Sequence, residues 1–400
     1  MKLYPHQKDA VKRLKNGSIL VGGTGTGKSI TAIAYYFTRV CGGKLEPYTP
    51  MSDPRPLYII TTAKKRDDKE WDKDLAPFLL SSTEANMYLE NAPVIVDSWN
   101  NIKKYSNISG AFFIFDEQRL VGTGAWVKAF YKIARRNQWI ILSATPGDCW
   151  NDYIPVFVAN GFYKHKTEFK ELHMEMDPYC KYPKVRRWHN TGKLIRQKEA
   201  ITVRMDFEKS TTPHHERILC KYDKDLEKRL WKDRWNVFED RPLRDAGELC
   251  YAMRKLVNSD YSRCDTIFQL TLKHPRLIIF YNFDYELQAL RDLCEEYGFN
   301  YAEWNGHKHE KIPETDDWLY LVQYTAGAEG WNCLTTCAMV FYSNNYSYKI
   351  MKQSEGRIDR LNTPFKDLYY YHLTSTSIID KMIEKAIKVK KNFNESSIRW

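Results

Sequence analysis

One stretch near the start of the chain constrains its fold more than any other: Gly22-Gly23-Thr24-Gly25-Thr26-Gly27-Lys28-Ser29. It fits G-x-x-x-x-G-K-[ST], a loop whose backbone N–H groups turn inward around phosphate oxygens. Residues 18–21 before it read as a short buried strand, and residues 30–40 after it as a helix. That strand–loop–helix context separates a phosphate loop from a glycine-rich turn that binds nothing. The helix N-terminus favours anions. Lys28 would reach the outer phosphates of a nucleotide, and the Ser29 hydroxyl would take a place on Mg²⁺. Gln7, just upstream on a helix expected over residues 2–15, offers the paired donor and acceptor that an adenine edge requires. Taken without the loop behind it, Gln7 would be an ordinary surface glutamine.

Strands and helices then alternate as far as residue 146, the pattern of an open parallel sheet. Strands are expected at 57–60, 94–96, 111–115 and 139–142, and helices at 70–80 and 126–136. The strand at 111–115 is wholly apolar and runs straight into Asp116-Glu117. Acids at the C-terminal end of a parallel strand face the ligand crevice. There Asp116 would hold Mg²⁺ through water and Glu117 would polarise an attacking water. Thr61, Thr62, Lys64 and Lys65 end another strand, where small hydroxyls and lysines suit contacts to a phosphate backbone. A solvated loop is the competing reading of those residues.

Residues 149–265 break the alternation. Between 181 and 204 lie Lys181, Lys184, Arg186, Arg187, Lys193, Arg196, Lys198 and Arg204 against the single acid Glu199, with Trp188 and His189 interleaved. Basic residues mixed with aromatics suit a nucleic-acid groove, although a solvated charged face would read alike. A charged helix is expected over 223–238. The whole chain carries 61 basic and 50 acidic residues, a balance of +11 that leans the same way. Nine cysteines are scattered without a C-x-x-C pair, and no run of eighteen apolar residues occurs. Both point to a soluble, cytoplasmic protein in a reducing compartment, with no membrane span.

A second alternating region begins at residue 276. Strands are expected at 276–281, 318–322, 338–342 and 368–372, and helices at 284–297, 346–360 and 376–392. It has no phosphate loop of its own. Arg357 and Arg360 are three residues apart, which on a continuous helix would put both on one face. Two such guanidiniums could neutralise charge on a γ-phosphate. A pair of surface arginines in salt bridges is the plainer reading.

In this order, the motifs resemble those of superfamily 2 helicases and translocases across nearly the whole chain. They are Gln7, the loop 22–29, Asp116-Glu117, Ser143-Ala144-Thr145, the run 325–330, and Gln353-Ser354-Glu355-Gly356-Arg357-Ile358-Asp359-Arg360, which matches Q-x-x-G-R-x-x-R. Gly330-Trp331-Asn332 and the run from Gln353 to the C-terminal helix are most similar to the Snf2-type branch and its compact phage-encoded relatives. The resemblance implies an α/β fold of two RecA-like parallel-sheet lobes, at 1–148 and 266–400. A bridging, mainly helical basic segment would span 149–265.

It also implies ATP and Mg²⁺ as cofactors, DNA as partner, and movement along or unwinding of DNA driven by ATP hydrolysis. Lys28, Ser29, Asp116, Glu117, Arg357 and Arg360 inherit the ATPase roles. Gln7, the loop residues 22–29, Gly327, Glu329, Gly330 and Gln353 inherit nucleotide contacts. Ser143 and Thr145 inherit the coupling between nucleotide and nucleic acid. Ser98 and Thr325 join Thr61, Thr62, Lys64, Arg186 and Arg187 as candidate nucleic-acid contacts. The acidic box continues as Gln118-Arg119 where the Snf2 branch has a small residue and histidine, so its coupling could differ. The large insertions of chromatin remodellers are missing. Two other functions stay open: an ATP-gated clamp that holds nucleic acid without moving, and an RNA helicase. A P-loop ATPase acting on proteins or small molecules would leave the second sheet's Gln353 and arginines unexplained.

Overall fold

The two alternating regions form two separate six-stranded sheets. The structure is a computed structural model that describes residues 2–395 apart from 24, 85–93, 118, 119, 121–123, 180–184, 206–210, 328–330 and 361. The chain divides into two compact units, Met1–Glu208 and Lys209–Trp400. Each is an α/β unit whose main sheet is entirely parallel, the RecA-like class expected from sequence.

In the first unit the elements run α1 (Pro5–Arg13), β1 (Ile19–Val21), α2 (Lys28–Tyr35), β2 (Leu57–Thr61), α3 (Ala63–Asp67), α4 (Glu70–Leu75), β3 (Ile95–Ser98), β4 (Phe112–Asp116), α5 (Ala125–Ala134) and β5 (Gln138–Ser143). Then come α6 (Trp150–Ala159), α7 (Lys166–His173), β6 (Met174–Met176), β7 (Val185–Trp188), α8 (Thr191–Ile201) and β8 (Thr202–Arg204). The sheet order is β8-β1-β5-β4-β2-β3. One strand, β5, therefore separates the phosphate-loop strand from the acidic-box strand. All five residues of β4 are buried, as a strand covered by helices on both faces requires. One core joins Leu20, Ile33, Phe37, Phe112, Ile114, Ile140 and Leu142 beneath α1 and α2.

The second unit runs β9 (Thr212–Leu219), α9 (Lys224–Lys232), α10 (Ala246–Asn258), α11 (Ser262–Thr271), β10 (Arg276–Tyr281), α12 (Asp284–Tyr297), β11 (Tyr301–Trp304), β12 (Trp318–Gln323), α13 (Tyr324–Gly327), β13 (Ala338–Phe341), α14 (Tyr348–Glu355), β14 (Asp367–Thr374) and α15 (Ile378–Glu395). Its sheet order is β9-β14-β13-β10-β12-β11. Leu277, Ile279 and Tyr281 pack on one face and Ile278 and Phe280 on the other, so each face of β10 feeds its own core.

The span 149–265 is shared between the units. β8 pairs with β1, with Ile19 opposite Thr202 and Val21 opposite Arg204. β9 pairs with β14 over eight residues. These two edge strands lie outside the strands expected from sequence. β8 is only three residues long, and β9 is polar and exposed along most of its length, so neither carries a buried-strand pattern. The charged helix expected over 223–238 stops at Lys232. Arg234 then turns into the left-handed region before a small hairpin pairing Trp235 and Asn236 with Pro242 and Arg241. The eight described cysteines are free thiols. Among the described residues no helix is long and apolar enough to cross a membrane.

Candidate active site

The register of the first sheet decides which side chains meet. Val21 lies opposite both Ser143 and Arg204, Asp116 opposite Leu142, Ile60 opposite Phe115, and Thr61 opposite Ser98. Because all six strands are parallel, their C-terminal ends share one edge. The phosphate loop, Asp116-Glu117, Ser143, Thr61 and Ser98 all leave the sheet there, where ligands of open α/β sheets bind.

The loop is shaped by close backbone contacts. Gly22 N–H donates to the Ser143 carbonyl (3.3 Å). A Cβ on Gly22 would sit 2.6 Å from Thr26 Oγ1. Gly27 holds φ +77°, and a Cβ there would sit 2.3 Å from Gln7 Nε2. Gln7 is buried, and its Oε1 accepts from Tyr4 N–H (3.0 Å), so the amide is fixed against the start of α2. Thr26 Oγ1 donates to the Gly23 carbonyl (2.9 Å), while His6 Nε2 lies 3.2 Å from the Thr26 carbonyl. That ring nitrogen must be the donor, since a carbonyl only accepts. Lys28 Nζ donates to the Gly22 and Gly23 carbonyls, both at 2.8 Å. Gly25 has φ +82°. Thr24 lies outside the described residues.

The acids are tied to two elements that sequence reasoning assigned elsewhere or overlooked. Asp116 is buried, and its Oδ2 accepts from Thr61 Oγ1 (2.8 Å) and Lys65 Nζ (2.9 Å). Lys65 Nζ also donates to Glu117 Oε1 (3.1 Å). Burial alone would lower the Lys65 pKa, but the carboxylates of Asp116 and Glu117 hold it above its ordinary value. Glu117 has φ +57°, a left-handed conformation uncommon outside glycine, which turns its carboxyl beside Lys65. Trp99 Nε1–H anchors the strand end on the Asp116 carbonyl (2.9 Å). From α4, which packs on α2, Asp74 lies close enough to the Ser29 side chain to feel it electrostatically. Burial raises its pKa, with Asp116 and Glu70 adding to the rise, against the pull of Ser29 and Lys65. Thr61, Lys65, Asp116 and Glu117 thus form one polar cluster, with Asp74 within its electrostatic reach. Lys65 was expected at a phosphate backbone and instead holds the acids. Asp74 carried no signal, being one of several acids in a charged run.

These oxygens fit Mg²⁺. Serine hydroxyl and carboxylate are hard donors, and Mg²⁺ takes few protein ligands because it keeps several waters.

The candidate nucleic-acid residues disperse. Thr61 is fully buried and spends its hydroxyl on Asp116. Thr62 caps α3, accepting from Lys65 N–H (3.2 Å), and Lys64 is half-buried on that helix. Ser98 is buried and accepts from Arg66 Nη1 (3.3 Å). Arg66 also pairs with Asp97 (3.1 Å). Burial would raise the Asp97 pKa, but hydrogen bonds from Asn101, Tyr105, Ser98 N–H and Arg66 bring it below its ordinary value. Arg186 and Arg187 are exposed on the β6–β7 hairpin, and Arg186 lies 3.6 Å from Glu175. Lys198, from the same basic run, is buried with its ammonium over the rings of Tyr153 (5.4 Å) and Trp150 (6.0 Å). Burial and then Arg204 lower its pKa to about 8. The run is therefore not one continuous groove lining. Lys181 and Lys184 lie outside the described residues.

In the second unit, α14 ends at Glu355. Gly356 N–H closes onto the Lys352 carbonyl and Arg357 N–H onto that of Ser354, so the chain leaves the helix in a turn. Arg357 and Arg360 follow that turn, which corrects the expectation of one helix face. Arg357 is buried. Its Nη1 donates to the Trp331 carbonyl (2.7 Å) and its Nε to that of Gln353 (3.2 Å). Gln353 and Arg360 are half-buried. Thr325 is exposed on the short α13, which ends at Gly327. Glu329 and Gly330 lie outside the described residues, as do Gln118 and Arg119.

No family model matches the chain, and no curated protein matches it. Among solved structures it is similar to the SWI2/SNF2 ATPase core of Sulfolobus solfataricus in complex with double-stranded DNA. That similarity has a TM-score of 0.43 and 14% identity, and covers 100% of this chain and 93% of that one.

Proposed function

We propose that the chain is an ATP-dependent DNA translocase or helicase. The single observation that supports it most is the edge where the phosphate loop, the acids Asp116 and Glu117, and Ser143 emerge from neighbouring parallel strands. On this reading Gln7 meets adenine, Lys28 and the loop N–H groups of residues 22–29 hold the phosphates, and Ser29 and Asp116 hold Mg²⁺. Bound Mg²⁺ supplies charge neutralisation at the phosphates. Glu117 orients the attacking water. Arg357 and Arg360 of the second unit are required for turnover, and Gln353 with the 327–330 loop belongs to the same nucleotide response. Two sheets with only one phosphate loop favour a motor whose second unit serves the first. Exposed Arg186, Arg187 and Thr325, together with Lys64, are the proposed nucleic-acid contacts.

The test is ATP hydrolysis measured in parallel without nucleic acid and with single-stranded DNA, duplex DNA and RNA, alongside strand separation and displacement of a bound roadblock. Stimulation by DNA together with displacement supports the motor. ATP-locked binding without displacement would mean a clamp, and stimulation by RNA alone an RNA helicase. Full turnover by Lys28→Ala would sink the assignment, because that change removes the side-chain cation of the loop.

A further inference from the structure

Lys65 sits where its charge matters most. Its ammonium lies 2.9 Å from Asp116 Oδ2 and 3.1 Å from Glu117 Oε1, bridging both acids of the box. The three side chains are 24%, 6% and 23% exposed, so solvent screens the cluster little. Two carboxylates this close repel each other and need a positive partner. Lys65 supplies it from within the chain, and a divalent cation bound at Asp116 would supply the same charge. The two cannot both take Asp116 Oδ2 without rearrangement, since Thr61 Oγ1 already occupies part of that oxygen.

The lysine's mounting is also informative. It comes from α3, a five-residue helix that starts right after β2 and also bears Lys64 and Arg66. The side chain is long and flexible, and its ammonium is a mobile point charge rather than a rigid fork. A phosphodiester lying along Thr62, Lys64 and Arg66 would offer Lys65 a second anionic partner within reach of the same helix.

We propose that Lys65 is a charge latch on the acidic box: without nucleic acid it holds Asp116 and Glu117 and competes with Mg²⁺, and a nucleic-acid phosphate draws it away. This rests on the motor reading above and names the residue through which nucleic acid would raise turnover. Lys65 is a positioning residue in this scheme, acting through the acids.

The experiment is a Mg²⁺ titration of the full chain carrying a fluorescent ADP derivative, with and without duplex DNA. In wild type, DNA should lower the half-saturating Mg²⁺. Lys65→Met, which keeps the stem and removes the charge, should lower it about tenfold without DNA, a plausible scale for one buried charge pair, and DNA should then shift it no further. Its DNA-independent hydrolysis should rise toward the stimulated rate of wild type. Lys65→Arg keeps the charge, so it should still need DNA; it also stands in if the methionine variant melts early. An unchanged or weaker Mg²⁺ response in Lys65→Met, or DNA-free activity in Lys65→Arg, overturns the latch. A wild type whose hydrolysis ignores every nucleic acid overturns the motor reading and the release step, while the DNA-free comparison still decides whether Lys65 competes with the cation.

Discussion

Gly27→Ala is the most direct test of how the phosphate loop is built. Gly27 holds φ +77°, where a Cβ costs roughly 1–2 kcal/mol for an L-residue. The new methyl would also lie 2.3 Å from Gln7 Nε2, so the amide must move. Gln7 is buried and its Oε1 accepts from Tyr4 N–H, a bond worth about 1 kcal/mol. Together the two effects amount to about 2–3 kcal/mol. For a unit spanning Met1–Glu208, that corresponds to a fall of about 4–12 °C in the first melting transition. The steric part can be isolated by a double-mutant cycle with Gln7→Ala. Once the amide is gone, the alanine methyl meets no nitrogen, so the double variant should be more stable than the summed single effects by about 1 kcal/mol. Calorimetry measures the cycle, and equilibrium binding of a fluorescent ADP derivative should fall in both Gly27 variants. An unchanged melting temperature in Gly27→Ala, or strict additivity in the cycle, would refute the contact between Gln7 and the loop.

Three further outcomes are expected. Arg360→Ala should bind nucleotide as wild type does but lose turnover by about 10³-fold, read by phosphate release beside labelled-ADP binding. Neutralising Arg186 and Arg187 together should weaken binding to all DNA sequences alike and lower the salt slope by about 2; an unchanged slope would make the hairpin a solvated face. Lys198 is depressed to about 8 in the fold, against 10.5 for the ordinary group. Below pH 8 it is charged in both states, so the fold bears the full cost of burying that charge; the cost fades as pH rises toward 10.5, where both states are neutral. Lys198→Met should therefore be more stable than wild type at pH 7 by on the order of 2 kcal/mol, and the gain should shrink between pH 8 and 10.5 in denaturant titrations.

Much of the first unit was legible because its signals are local. The phosphate loop is contiguous, and a strand buried on both faces reads as a continuous apolar run, as at 112–115. The same logic located β10 and β12. Three of the four edge strands, β8, β9 and β11, escape it, while the edge strand β3 was expected at 94–96. β8 and β9 pair along one side, and the polar face of β9 carries no period to read. Arg357 and Arg360 were expected on a helix because Gln, Ser, Glu and Arg all tolerate one, but the helix ends at Glu355 and the chain turns through Gly356, itself in ordinary right-handed backbone, before either arginine. The acid cluster was half legible. Asp116 and Glu117 follow directly from their strand, whereas Lys65 and Asp74 matter only through the sheet order that sets β2 beside β4 and through the packing that carries α4 to Ser29. No spacing in the sequence encodes those approaches.

That cluster has a consequence for how the first unit responds as a whole. Thr61 and Lys65 belong to β2 and α3, which are joined through Thr62 without a loop between them. Both donate to the same oxygen of Asp116, so a shift of α3 changes the charge around that oxygen directly. One helix further on, α4 packs on α2, bringing Asp74 into the field of Ser29 at the start of that helix. The segment 61–75 therefore contacts the acidic box at one end and the phosphate-loop helix at the other. Such a segment has few ways to move alone, because one end is held by polar contacts to buried Asp116 whose loss costs about 1–3 kcal/mol and the other by the packing of α4 on α2. A perturbation on its basic face should thus be felt at Asp116 and at Ser29 together. Separate effects at the two positions would show instead that α3 and α4 respond independently.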